Sequence, residues 1–205
     1  MASRSYGALS KNVAELEQQF LRFSKRSDGK YSDHELYQCR AYIAFCHSEV
    51  EFYLETMSMR AVNIAEKTWK TKGKVTNAVA AMIAYRAAKE VTLPSDPCSQ
   101  APKKQFPSIL LSAIAAQKAA IGNNHGIKRE NIAALFIPLG MKISDFHEPL
   151  MIQLDNLGRR RGDHVHQSSK VSLPKVRDPF ADEKSDMNFL LVELKVFDKI
   201  LSALS

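Results

Sequence analysis

The chain has 205 residues, of which 45% are hydrophobic, a share typical of a globular protein that buries one core. It contains 29 lysines and arginines against 22 aspartates and glutamates, and the resulting formal net charge of +7 suits a polyanionic partner such as nucleic acid. Three cysteines without a Cys-x-x-Cys pair argue against a disulfide framework or a zinc site and favour a reducing compartment. No stretch is apolar enough to cross a bilayer and the N-terminal residues lack the core of a signal peptide, so we expect a cytoplasmic protein without membrane contact.

The first two predicted elements are amphipathic helices. Apolar residues at steps of three and four predict a helix over Ser10–Lys25, with Ser10 as its N-cap. A turn-rich segment separates it from the longest helix, Asp33–Trp69, for which Ser32 or Asp33 is the expected cap. The predicted buried stripe of this long helix is Leu36, Cys39, Ile43, Cys46, Val50, Tyr53, Met57, Ala61 and Ile64. We therefore interpret Cys39 and Cys46 as small core residues.

Shorter helices follow, and no segment has the alternation of a strand. The predicted ranges are Asn77–Glu90, Ser108–Gly122, Glu130–Phe136, a helix from Ser144 or Asp145 to Gln167, and Asp182–Leu204. Residues 91–108 contain four of the eight prolines and predict a surface loop that carries Cys98. The pattern predicts an all-α fold, an antiparallel helical bundle with short inserted helices and no significant sheet. We expect residues 1–30 to be an N-terminal extension and residues 31–205 the helical domain, within one globular unit.

The run Arg159–His166, RRRGDHVH, is the densest cluster of phosphate-binding and proton-transferring side chains in the chain. A guanidinium is a planar fork that matches phosphate oxygens. An imidazole is the side chain most readily used as an acid or a base near neutral pH. Arginines near the end of a helix also favour its dipole without any catalysis, and this structural interpretation stays open.

The spacing Arg161-x(4)-His166, within the segment LDNLGRRRGDHVHQ, resembles the motif of the HEPN superfamily and, more narrowly, of its RiboL-PSP-HEPN group. Arg40–Glu55 is similar to the first long helix of that group, and Glu130–Met141 is similar to the segment that leads to the motif. The resemblance covers roughly Glu35–Ser205. It implies a HEPN-like helical bundle and a metal-independent ribonuclease that needs no cofactor.

The resemblance assigns catalysis to Arg161 and His166. RNA cleavage without a metal needs a base for the 2′-hydroxyl proton, a cation for the phosphorane-like transition state and an acid for the 5′-oxygen. Arg161 can hold two phosphate oxygens and His166 can be the base or the acid. The expected product is a 2′,3′-cyclic phosphate. The resemblance further implies a toxin or phage-defence setting, an RNA substrate and a regulatory partner such as an antitoxin.

Helix geometry complicates this assignment. Residues five apart on a regular helix lie about 140° apart around its axis, whereas Arg160 and His164, four apart, share a face. His164 is therefore a rival catalytic histidine. Two arrangements reconcile Arg161 with His166: Gly162 distorts the helix, or the site is composite and two motifs face each other in a homodimer. The HEPN resemblance favours the homodimer.

Four further residues are candidates for supporting roles. Glu51 matches the acidic position of the family's first helix, and it either points at the site or lies on a solvated face. Asp163 could orient a histidine or the guanidinium. Arg159 and Arg160 are predicted to bind RNA phosphates.

Two alternative functions remain open. One is a non-catalytic HEPN module that binds RNA, nucleotides or proteins through the same arginines. The other is a helical antitoxin or assembly protein whose motif stabilises a dimer. A metal hydrolase is disfavoured because the six histidines show no His-x-x-x-His or Glu-x-x-His pair on a helix.

Overall fold

A computed structural model describes residues 2–90, 106–166 and 176–204, and these residues form helices and no strand, which confirms the all-α prediction. The helices are α1 (Arg4–Phe20), α2 (Asp33–Lys72), α3 (Asn77–Glu90), α4 (Phe106–Gly122), α5 (Arg129–Phe136), α6 (Glu148–His166) and α7 (Ser185–Ala203). Short 3-10 turns cover Ile137–Leu139 and Ile143–Asp145, and a π-helical turn covers Pro179–Lys184. None of the helices in these ranges is long and apolar enough to cross a membrane.

Helix α2 is the central element, and its 40 residues span about 60 Å at 1.5 Å per residue. Of the two predicted caps, Ser32 begins it, in a capping box: its hydroxyl accepts from the backbone of Glu35, whose carboxylate accepts from the backbone of Ser32. Gly73 ends it in the left-handed conformation, with φ of 61°. Cys39 and Cys46 are buried and unpaired, which confirms them as core residues.

Helix α1 begins earlier than the sequence predicts. Its N-cap is Ser3, and the expectation that Ser10 is the cap was wrong. The cause is a long-range contact: the buried carboxylate of Asp198 accepts hydrogen bonds from the Ser3 backbone at 2.6 Å and from its hydroxyl at 2.5 Å. Leu9 and Val13 lie in the same core as α2, so the predicted N-terminal extension packs with the rest of the bundle.

Other predicted helix ends shift by a few residues. Helix α4 begins at Phe106 rather than at Ser108, because Pro107 is tolerated in a first turn, where its missing N–H has no partner to lose. Helix α6 begins at Glu148, after a 3-10 turn, rather than at Ser144 or Asp145. The predicted loop before α4, with Cys98, lies outside the described residues apart from its last few positions.

Helices α6 and α7 pack beside α2 and place the arginine run next to the middle of the long helix. The apolar period predicts core faces of Leu150, Leu154 and Leu157 on α6 and of Leu190, Leu194, Phe197 and Leu201 on the last helix, and all of these residues are buried. The same period predicts Phe189 on the core face, but it is exposed. The last helix begins as a π-helical turn at Pro179 instead of at Asp182.

Candidate active site

A polar cavity of about 460 Å³ lies between α2, α6 and the segment that leads into α5. This volume is in the range of pockets that hold a small ligand such as a nucleotide. Its ionisable lining residues are His47, Glu51, His125, Lys128, Glu130 and Arg161. Cations, carboxylates and imidazoles therefore converge on one concave surface.

The α2 wall of the cavity carries His47 and Glu51, which are one helical turn apart. The Nδ1 atom of His47 lies 3.7 Å from a carboxylate oxygen of Glu51, a distance at which no hydrogen bond forms. The His47 side chain is almost fully buried. Burial, followed by the positive charge of Arg161, lowers the pKa of His47 to about 4, so the ring is neutral at pH 7.

The pKa of Glu51 shifts in the opposite direction. Burial and the nearby carboxylate of Glu55 raise the pKa of Glu51 above its ordinary value. A hydrogen bond from the backbone of Gly126 and the charges of Arg161 and His125 act against this rise. Glu51 is thus electrostatically coupled to both sides of the cavity, which is common for groups in functional sites.

The opposite wall is a loop held in place by asparagine side chains. Asn124 donates to the carboxylate of Glu55 at 2.8 Å and to the carbonyl of Gly126 at 2.9 Å, and it accepts from Asn131 at 3.2 Å. Gly126 has a φ of 153°, and a Cβ there would lie 2.9 Å from the Oδ1 atom of Asn131. The loop therefore requires glycine at this position, and the cavity wall is preformed.

Helix α6 forms the third wall and presents Arg161. At Gly158 the helix lies close to the loop, because a Cβ there would meet the side chain of Lys128 at 3.1 Å. Helix α6 is continuous through Gly162, which has no positive φ. Of the two arrangements considered for the motif, a helix broken at Gly162 is therefore not what the structure shows, and glycine at this position costs only some intrinsic stability.

Arg161 and His166 remain on different faces of this regular helix, about 140° apart. His166 is the last residue of α6, and its side chain lies outside the described part of the molecule. Of the predicted site residues, the structure brings Arg161 and Glu51 together in the cavity.

Arg160 and His164 lie on another face of α6, next to a cluster of charges. The Nε atom of Arg160 is 3.1 Å from the buried carboxylate of Glu183, and a terminal nitrogen is 3.3 Å from Asp186. Arg177 binds the same two carboxylates at 2.8 and 2.7 Å. The guanidinium of Arg160 is thereby engaged within the protein, although its predicted contact with RNA stays a prediction.

His164 is buried, and its backbone carbonyl accepts a hydrogen bond from Arg40. Burial is the main cause that lowers the pKa of His164, while the charges of Glu183 and Asp163 raise it. Asp163 thus acts electrostatically on His164, and its predicted orienting role stays a prediction. Arg159 is exposed and donates to the side chain of Asn156 at 3.0 Å.

Sequence reasoning missed two histidines of the cavity. His47 lies four residues before Glu51 on the same helix, and this spacing was the available signal. Its place in the turn Gly122–Gly126 predicts a structural role for His125, and the structure shows it exposed in the cavity lining. Only the packing of the loop against α2 could reveal it.

No family model matches the chain, and comparisons with curated proteins and with solved structures returned no match. Within residues 2–90, 106–166 and 176–204, no group of three or more His, Cys, Asp or Glu side chains is arranged to hold a metal ion. The site is therefore interpreted from its own geometry.

Proposed function

We propose that this protein is a metal-independent endoribonuclease of the HEPN type. The observation that carries the proposal is the polar cavity, which is lined by Arg161 from α6 and by Glu51 from α2. The resemblance of the sequence assigns catalysis to Arg161 and matches Glu51 to an acidic position of the family's first helix. The basic net charge and the size of the cavity also suit an RNA substrate.

In this proposal Arg161 binds the non-bridging oxygens of the scissile phosphate and stabilises the charge that develops during attack by the 2′-hydroxyl. Lys128 on the loop adds a second positive charge at the cavity. His166 transfers a proton to or from the reacting oxygens. The products are a 2′,3′-cyclic phosphate and a 5′-hydroxyl end.

The straight course of α6 supports a composite site. Because Arg161 and His166 of one chain lie about 140° apart on the helix, His166 would meet the phosphate most readily in a homodimer whose motifs face each other. We further propose that the enzyme acts in the cytoplasm in a toxin or phage-defence setting, where an antitoxin or another protein regulates it.

The test compares wild type, Arg161→Ala, His166→Ala and Arg22→Ala on tRNA and total RNA in EDTA. Arg22→Ala is the control, since it removes an exposed arginine that is not among the candidate site residues. We expect wild type and the control to leave cyclic phosphate ends. Loss of Arg161 should slow cleavage about 10²- to 10³-fold, as for other donors to a transition-state anion.

The same samples test the alternative of a binding module. RNA binding is measured by fluorescence anisotropy over a range of salt concentrations. Binding that depends on Arg161, without cleavage by any sample, would contradict the nuclease and favour the non-catalytic module. Equal cleavage by wild type and Arg161→Ala would place the chemistry elsewhere.

A further inference from the structure

The most unusual group in the cavity is His47. It is 4% exposed, yet its ring contributes to the lining of a cavity that holds charged groups. Its Nδ1 atom is buried and has no hydrogen-bond partner among the described residues. Buried polar atoms are normally satisfied, and one that is not calls for an explanation such as a catalytic role or a bound water or ion. An apolar side chain would fill the core at this position without leaving an unsatisfied polar atom beside a polar cavity.

We propose that His47 is a catalytic residue that takes the proton of the attacking 2′-hydroxyl while Arg161 of the same chain holds the phosphate, and that Glu51 positions its ring. This inference rests on the proposed ribonuclease function. It differs from the HEPN motif, which contains Arg161 and His166 and no residue of α2. It also places the base and the phosphate-binding cation in one cavity of a single protomer.

The tautomer follows from the position of Glu51. Nδ1 is the ring nitrogen next to its carboxylate, at 3.7 Å, so a hydrogen on Nδ1 is favoured there. The other nitrogen, Nε2, is then the basic one. When Nε2 takes a proton, the resulting imidazolium lies beside the carboxylate, which stabilises it. At 3.7 Å the carboxylate acts on the ring through its charge and without a hydrogen bond, as a nearby charge does in acid–base catalysis.

The protonation state agrees with a proton acceptor. Burial and Arg161 keep His47 neutral at pH 7. The other charged or titratable groups of the cavity are Glu51 on the same helix, together with His125, Lys128 and Glu130 on the facing loop and α5. A phosphate bound to Arg161 would offset the guanidinium charge, so substrate binding should make proton uptake by His47 easier.

The chemical step is balanced. The 2′-hydroxyl gives its proton to Nε2 of His47, and the 2′-oxygen forms a bond to phosphorus. The bond between phosphorus and the 5′-oxygen breaks, and the 5′-oxygen leaves with the electron pair and takes a proton from a second group. His166 of a facing protomer is the residue that the proposed function supplies for this second transfer. Release of the cyclic phosphate and exchange with solvent return both histidines to their starting states.

The experiment compares wild type, His47→Gln and the control His147→Gln, which changes an exposed histidine paired with Glu193. Each is assayed on an ordinary RNA and on an RNA whose 5′-bridging oxygen at the cleavage site is sulfur. The sulfur leaving group needs no acid, so it rescues the loss of an acid but not the loss of a base. RNA binding and thermal unfolding are measured in parallel.

We expect His47→Gln to bind RNA as wild type does and to cleave both substrates about 10²- to 10⁴-fold more slowly, whereas His147→Gln remains active. Rescue of His47→Gln by the sulfur substrate would overturn the inference, since His47 would then be the acid. Unchanged cleavage of the ordinary RNA would overturn it too and leave the proposed function intact. Absence of cleavage by wild type would refute both proposals together.

A second measurement applies if His47→Gln does not fold. The rate of wild-type cleavage, as kcat/KM, should fall as the pH decreases through one ionisation in the acid range, because the base must be unprotonated. Arg161→Lys, which keeps the charge, should leave this acid limb in place. A profile without an acid limb down to pH 4 would contradict a histidine base in the cavity.

Discussion

Arg160 and Arg161 are neighbours in the sequence, but the structure gives them different surroundings, and this difference leads to a quantitative prediction for Arg160→Ala. The Arg160 side chain is 14% exposed and that of Glu183 is 1% exposed, with the two charged groups 3.1 Å apart. Removing one partner from a buried ion pair costs about 3–5 kcal/mol. The second oxygen of Glu183 is still bound by Arg177 at 2.8 Å, so we expect about 2–3 kcal/mol here.

For a protein of this size, that loss lowers the melting temperature by about 4–12 °C, from about 2–4 °C per kcal/mol. The assay is thermal and urea unfolding at pH 7, followed by the helical signal in circular dichroism. Arg159→Ala, an exposed control on the same helix, should change the free energy of unfolding by no more than about 0.5 kcal/mol. In the double variant Arg160→Ala/Glu183→Gln the loss should be smaller than the sum of the two single losses. If Arg160→Ala and Arg159→Ala had the same melting temperature, the structural role of the ion pair would be refuted.

Three further predictions follow from the buried groups. Asp198→Asn should lower the free energy of unfolding by about 2–4 kcal/mol in urea titrations, since it weakens the hydrogen bonds from Ser3 and Tyr53 to a fully buried carboxylate; retention of wild-type stability would contradict this. Arg161→Ala should raise the pKa of His47 from about 4, because a nearby positive charge is removed. NMR titration of the imidazole signal measures this pKa. An unchanged or lower pKa would show that Arg161 does not act on the ring. In the unfolded chain the pKa of His47 is about 6.5. Between pH 6.5 and 4 the unfolded chain therefore binds more protons than the folded protein, so the folded protein should lose stability as the pH falls through this window. His47→Gln should reduce that loss in urea titrations at several pH values, and an identical pH slope in wild type and variant would argue against it.

The cavity illustrates why adjacent residues on a helix differ in their surroundings. Arg161 faces α2 and the loop before α5, while Arg160, 100° further around α6, faces the turn at Glu183. Arg161 therefore lines a cavity large enough for a ligand, whereas the guanidinium of Arg160 forms ion pairs with carboxylates of the same chain. The chemistry of the side chains is the same, and only their neighbours decide what each one does.

The sequence by itself determined the features that depend on local interactions. The 3.6-residue period of apolar residues predicted the helices and the buried stripe of α2, because the energy of burying one face acts on every turn of the same helix. The sequence predicted Ser32 or Asp33 as the cap of α2, and the structure selects Ser32, whose capping-box partner Glu35 is only three residues away. The concentration of arginines and histidines on α6 was also visible before any fold was known.

Tertiary structure decided what these local patterns face. Ser3 rather than Ser10 caps α1 because Asp198, far along the chain, binds it. His47 is a candidate site residue because α6 and the loop before α5 cover it, bury its ring and place it near Arg161. Helical periodicity fixes the face on which a residue lies but not the element that covers this face. That choice arises from contacts between distant segments, so the partners of Asp198 and His47 could not be predicted from local sequence.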